Sequence, residues 1–399
     1  EFITKPTSEH LFYRPIQSMP KEIDSEQRSR LAQEYTKMIT NKLRPKYVEL
    51  KRFLEEEYLP VCRSTAGFKD LPKGKETYDY LIKLHTTTNL TADQIHKLGK
   101  EEVKRILVEM ETAKNKIGFK GNIKEFFEFI RKSPDQMPFK EPQEVLDNFN
   151  RIKEKINEKF DQVFELQPKA NFVVKRTETF REASASAEYV PGTKDASRPG
   201  IFYVPIPDVK KYNKFSDEAL FLHEAIPGHH YQLSLQQENK ELPKFLHPES
   251  MGVFVEGWAL YAESLGKELG LYKDPIQYFG MLSMEMHRAI RLVVDTGIHS
   301  KGWTRDRAIQ YSLENEAASK ESIITEIERY MATPGQALSY KMGQIKIREL
   351  RTVAEMKLGK NFDIREFHNQ VLNSGSLPLI MLEQKIKNWI ETQNNVNGN

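Results

Sequence analysis

The stretch Phe221-Leu222-His223-Glu224-Ala225-Ile226-Pro227-Gly228-His229-His230-Tyr231-Gln232 decides how this chain is read. Three histidines and a glutamate fall within eight residues, in a chain of 399 residues that holds 10 histidines. Imidazole is the commonest neutral metal ligand near physiological pH. A His-Glu pair opens the helical H-E-x-x-H zinc motif, where histidines one turn apart hold the ion and the glutamate works on its water. Here Pro227 stands where the second histidine would be, and the next ones are His229 and His230. Proline removes a helical hydrogen bond and glycine frees the backbone, so a break is expected at Pro227-Gly228. On an unbroken helix His230 would lie about 10.5 Å along the axis from His223, too far to share an ion bound at about 2.1 Å. A bend brings His229 or His230 back; His229 is the preferred ligand and His230 its alternative.

Outward from this stretch, Asp217 to Leu222 should begin the helix that carries His223 and Glu224. The third ligand is sought in Val255-Glu256-Gly257-Trp258-Ala259-Leu260-Tyr261-Ala262-Glu263, an apolar run whose two carboxylates lie two turns apart on one helix face. Glu256 with His223 and His229 makes the open three-ligand set of a catalytic zinc, one Zn2+ ion in all. Glu263 then fixes a ligand histidine from behind, and Glu224, next to a ligand, is the general base. The competing reading is structural: a histidine on an apolar helix is usually a hydrogen-bonded core residue, and a buried Glu256 can pair with an arginine.

Two later stretches carry further polar groups. Arg288, Arg291, Asp295 and His299 recur at three- and four-residue steps and so line one helical stripe. They form either a structural network or an arginine fork for a substrate carboxylate. His299 is read as an oxyanion stabiliser or as a cap on Asp295. Around the Pro334-Gly335 break, Tyr340 is the first choice for an oxyanion donor, with Tyr330 behind it. Gln336 and Lys341 are candidates for substrate contacts. Gly200 to Val204 could offer a sheet edge to an extended peptide, its plain alternative being a buried hairpin.

Apolar periodicity elsewhere predicts a mainly α chain. Pro6, Pro15 and Pro20 make residues 1–25 an irregular lead-in, and a helix from Ser25 to about Tyr58 should be interrupted near Pro45. Thr91-Ala92-Asp93-Gln94 is a capping box. Short β-branched and aromatic runs at 171–175, 184–190 and 200–204 predict a small sheet or ribbon. The expected organisation is an N-terminal helical lobe over 1–165, a helical metal-site lobe over 166–393 with its β element at 170–206, and a disordered tail at 394–399. A net charge of +3 is too balanced for a nucleic-acid protein, and Cys62, the one cysteine, excludes an intramolecular disulfide. No apolar run approaches the roughly 20 residues of a membrane span. The chain begins Glu1-Phe2-Ile3 without Met, as a processed or cut chain would, leaving any targeting segment out of view. The compartment stays open, with a bacterial periplasm or cell envelope favoured over cytoplasm.

Several motifs in one order now matter together: His223 to Gln232, Glu256-Gly-Trp-Ala-Leu-Tyr261, Arg291 to His299 with Gly302-Trp303-Thr304, and Pro334-Gly335-Gln336 with Tyr340-Lys341 and Gly343. With Gly67 to Pro72 and His85 to Thr88, they resemble the bacterial domain-of-unknown-function family 885, from about Gly67 to Trp389. That family is similar, more distantly, to helical zinc carboxypeptidases and oligopeptidases of the neurolysin-like fold. The resemblance implies a mostly α fold with a deep cleft, a zinc metallopeptidase acting on short peptides by carboxypeptidase or dipeptidase action, and an N-terminal portion missing here. A metal hydrolase of another amide or ester, and a non-catalytic peptide-binding protein with a structural metal cluster, remain alternatives.

Overall fold

The computed structural model describes residues 2–195, 197–247 and 251–397, and its compact units divide between Thr65 and Ala66. The first unit is built on a helical rod. Asp24 caps its start by accepting from the Gln27 amide (2.8 Å), and the rod runs through Ser25–Met38, Ile39–Leu43, Arg44–Arg52 and Phe53–Tyr58. The interruption expected near Pro45 takes the form of a π-type turn at Ile39–Leu43, not a break. A widened turn just upstream absorbs the missing amide of a proline without ending the helix.

The second unit is mainly α and holds every group of the candidate site. Its larger helices are α1 (Gly74–Thr86), α2 (Ala92–Ile117), α3 (Ile123–Lys132), α4 (Pro142–Asn157), α5 (Asp217–Glu224), α6 (His229–Glu238), α7 (Gly252–Glu263), α8 (Pro275–His299), α9 (Arg305–Asn315), α10 (Lys320–Ala332), α11 (Ser339–Leu358), α12 (Ile364–Leu372) and α13 (Leu379–Asn397). The capping box at Thr91 and Gln94 opens α2 as predicted. The division does not fall near 165, because α2 packs along α8 and so belongs with the site-bearing helices. At Gly99 a side chain would come within 2.7 Å of Leu292 Cβ, which shows how close these two helices lie. The tail expected to be disordered from 394 instead continues α13 to Asn397; residues 398–399 lie outside the described residues.

A second close pair, α7 against α11, builds the site. A side chain on Gly343 would meet the Val253 carbonyl oxygen at 1.9 Å, and one on Gly257 would meet Gly343 Cα at 2.4 Å. Two glycines facing each other let the backbones approach further than any other residue would permit. Glu256 and Tyr340, carried by these two helices, are thereby brought to one cavity.

The sheet has three strands, β1 (Phe172–Arg176), β2 (Glu188–Val190) and β3 (Gly200–Val204), in the order β1-β3-β2. β3 runs parallel to β1, with Phe172 opposite Gly200, and antiparallel to β2, with Glu188 opposite Tyr203. β3 is therefore central and offers no free edge to a peptide. The edge beside the site belongs to β2.

Candidate metal centre

The local sequence folds as its proline and glycine dictate. α5 ends at Glu224, Ala225 leaves the helical region (φ −106°, ψ −105°), the Ile226–Pro227 peptide is cis, and α6 begins at His229. Gly228 sits against the end of α5, where a side chain would fall 1.9 Å from the His223 carbonyl oxygen. The Trp258 indole N–H donates to the Pro227 carbonyl at 2.7 Å, tying α7 to the break.

This brings His223 and His229 together. Their rings stand edge to face, with centroids 4.8 Å apart and planes at 88°. Glu256 Oε2 lies 3.6 Å from His223 Nε2 and 3.6 Å from His229 Nε2. Those separations are too long for hydrogen bonds. They are close to the spacing of about 3.4 Å between corners of a tetrahedron with bonds of about 2.1 Å, as in a zinc site. The same Glu256 Oε2 is buried and has no hydrogen-bond partner. Such an atom is costly to bury unless something binds it. Behind the site the His223 Nδ1–H donates to Glu263 Oε1 at 2.7 Å, which turns Nε2 towards Glu256 as an acceptor. Glu224 offers a carboxylate oxygen within 4.8 Å of both imidazoles. His223, His229 and Glu256 thus fit a zinc ion, with Glu224 beside them.

The buried carboxylates and imidazoles of the centre shift one another's protonation. Burial would depress His223, but Glu256 and Glu263 more than offset it and draw its pKa up to about 9. Burial would raise Glu256, but the two imidazoles outweigh it and hold its carboxyl well below the usual carboxylate range. Glu224 is raised by burial, against the pull of His229 and His223.

His230, the alternative ligand, points elsewhere. Its Nδ1 takes the Tyr189 hydroxyl at 2.9 Å, and burial lowers its pKa to about 4.

A cavity of about 510 Å³ opens over the centre, and Tyr340, Arg288 and Arg291 line it as anticipated. Five other polar groups singled out in the sequence do not reach it. His299 is fully buried; its Nε2–H donates to the Tyr330 carbonyl (3.0 Å) and its Nδ1 accepts from the Phe68 amide (3.2 Å), so neither an oxyanion nor Asp295 takes its ring. Asp295 is held by Tyr78 and the Gly335 amide. Lys341, also fully buried, pairs with Glu285 (2.7 Å) and Glu102 (2.9 Å). Tyr330 is buried, donating to Glu326 (2.6 Å) and accepting from Arg291 Nε (2.8 Å). Gln336 accepts from Arg329 (2.9 Å). Each is bound to protein groups in the wall behind the cavity.

The cavity also exposes residues that were not singled out: His287, Glu326, Arg329 and Tyr189. Glu326 Oε2 pairs with Arg291 (2.9 Å) and Arg329 (3.0 Å), and these cations hold its carboxyl far below the ordinary range although burial opposes them. His287 donates from Nδ1 to Glu316 at 2.6 Å. The signal was present: Glu326, Arg329 and Tyr330 recur at helical spacing, and His287 is one turn before Arg291.

Fold and site together define a mainly α protein with a two-histidine, one-glutamate candidate metal centre. The chain belongs to the bacterial family described as "Bacterial protein of unknown function (DUF885)", which matches residues 1–386, well upstream of Gly67 where the motif resemblance begins. Among solved structures it is similar to "the putative lipoprotein from Colwellia psychrerythraea", at 33% identity and a TM-score of 0.91, over 98% of this chain and 68% of that one. A second, "a putative lipoprotein of unknown function from Shewanella oneidensis", shares the fold at 21% identity and a TM-score of 0.68, over 93% of this chain and 68% of that one. No curated protein matches. No helix among the described residues is long and apolar enough to cross a membrane.

Proposed function

We propose that this protein is a zinc-dependent hydrolase of peptide bonds in short peptides. The observation that carries the proposal is the buried, unpartnered Glu256 Oε2, equidistant from two imidazole nitrogens. His223, His229 and Glu256 would hold the zinc ion, which when bound would supply Lewis-acid polarisation of a carbonyl and a lowered pKa for water. Glu224 accepts the proton of the attacking water and returns it to the leaving amine. Its burial-raised pKa suits both halves of that task. The Tyr340 phenol, also raised by burial, keeps its proton and donates to the developing oxyanion.

A peptide is favoured over other amides or esters by the sheet. β2 pairs with β3 on one side only, and residues 186–189 line the cavity. An extended peptide can be held along such an edge. The cavity volume suits a ligand of a few residues. A cell-envelope location is proposed alongside, on the description of the Colwellia relative as a lipoprotein.

The test is zinc content by mass spectrometry, together with hydrolysis of a short-peptide library. One zinc per chain is expected, with Glu224→Gln retaining the zinc while losing about 10²–10⁴-fold in kcat. Full activity in that variant, or no zinc uptake by the native chain, would falsify the mechanism.

A further inference from the structure

The walls of the cavity carry three arginines that differ in one respect. Arg291 and Arg329 share Glu326 at 2.9 and 3.0 Å. Arg288 has no carboxylate within 4.0 Å among the described residues. Its one protein hydrogen bond runs from Nη1 to the Met284 carbonyl, in its own helix, at a long 3.3 Å. Its Nε is buried and without a partner. Of the acidic groups lining the cavity, Glu188 is paired with Arg181 and Glu326 with two arginines, while Glu256 and Glu224 belong to the candidate metal centre.

Arg288 is half-buried, and its buried, unpartnered Nε is costly to keep, because a desolvated donor loses its water without recompense. Arg288 sits near enough to Glu224 and Tyr340 to act electrostatically on both, so it faces the metal centre. Being planar and forked, it is matched to a carboxylate. A short peptide laid with its scissile carbonyl at the centre carries one obligatory carboxylate, at its C-terminus.

We infer that Arg288 anchors the free C-terminal carboxylate of a short peptide, which limits cleavage to bonds close to that end. This rests on the peptidase reading for its choice of ligand, but not on turnover. Endopeptidase action on long chains is excluded by it, because such a chain brings no carboxylate to Arg288.

The test uses the full-length, zinc-loaded Glu224→Gln protein, so that binding is measured without hydrolysis. Calorimetry with trialanine and with its C-terminal amide should show the acid bound about 10- to 100-fold more tightly, the range of a charge-assisted fork. Adding Arg288→Gln should bring the two affinities together, while Arg288→Lys, keeping charge without the fork, should retain part of the preference. Equal affinity for acid and amide in the parent, or a preference that survives Arg288→Gln, overturns the inference. If the preference holds and native protein hydrolyses nothing, the anchor stands and the hydrolase reading falls. If native protein cleaves the amide as fast as the acid, the anchor falls and the hydrolase reading stands.

Discussion

Glu263 is the residue whose effect is easiest to isolate. It does not line the cavity and is not one of the three ligand candidates, yet it accepts the His223 Nδ1 proton at 2.7 Å. Removing such a partner typically weakens metal binding by about 10–100-fold. Glu263→Ala should therefore lose zinc to a competing chelator at correspondingly lower chelator concentration, and Glu263→Gln, which can still accept that bond, less so. Zinc affinity unchanged in Glu263→Ala would remove it from the site. At this scale the sequence was informative where spacing and chemistry coincide: His223, Glu224, His229, Glu256 and Glu263 come together in space. It misled where a polar residue on a helical stripe has two possible destinations. His299, Lys341, Tyr330 and Gln336 share helices with true cavity residues but end in backbone or ion-pair contacts. Periodicity assigns a face; which neighbour that face meets depends on helices distant in sequence, so Glu326 and His287 went unchosen.

Among the elements, the pairing of α7 with α11 sets the position of Glu256, the third candidate ligand. Gly343→Ala would press a methyl group against the Val253 carbonyl oxygen, which lies 1.9 Å from where it would be. Overpacking of this kind costs about 1–3 kcal/mol. A lowered melting temperature is expected, with weaker zinc binding because Glu256 moves with α7; a variant as stable as its parent would show that the two helices are not locked here. The break at Pro227-Gly228 was legible because both residues have fixed backbone habits. The edge was not: 200–204 and 184–190 read equally well as strands, and only the order β1-β3-β2 shows that β3 is central and β2 is the edge beside the cavity. Nor could the π-type turn before Pro45 be read, since proline announces a disturbance without saying whether the helix bends, ends or widens.

For the whole molecule, acid should be destabilising through a residue far from the metal candidates in sequence. His368 is buried, its ring held between the Val163 carbonyl (2.9 Å) and the Tyr261 hydroxyl (2.9 Å). Burial lowers its pKa from 6.5 to about 3. The folded state thus resists a proton that the unfolded chain takes readily. The stability this confers is full above pH 6.5 and is lost as pH falls towards 3. Against the parent, His368→Gln should show its largest stability deficit at neutral pH and a shrinking one in acid, measured by denaturant unfolding across that range. A deficit constant with pH would mean His368 titrates normally. The mainly α class was legible from periodicity, whereas the boundary at Thr65 was not: α2 is indistinguishable in sequence from a lobe-forming helix until it is seen lying along α8.

The indole of Trp258 and the absent side chain of Gly228 hold the turn between His223 and His229 by contacts that involve no ion. A cation entering here would find its candidate ligand atoms already waiting, and would not have to organise a slack loop in order to bind. Little conformational freedom would then be surrendered on capture, so three protein donors would suffice for tight binding and leave coordination positions open.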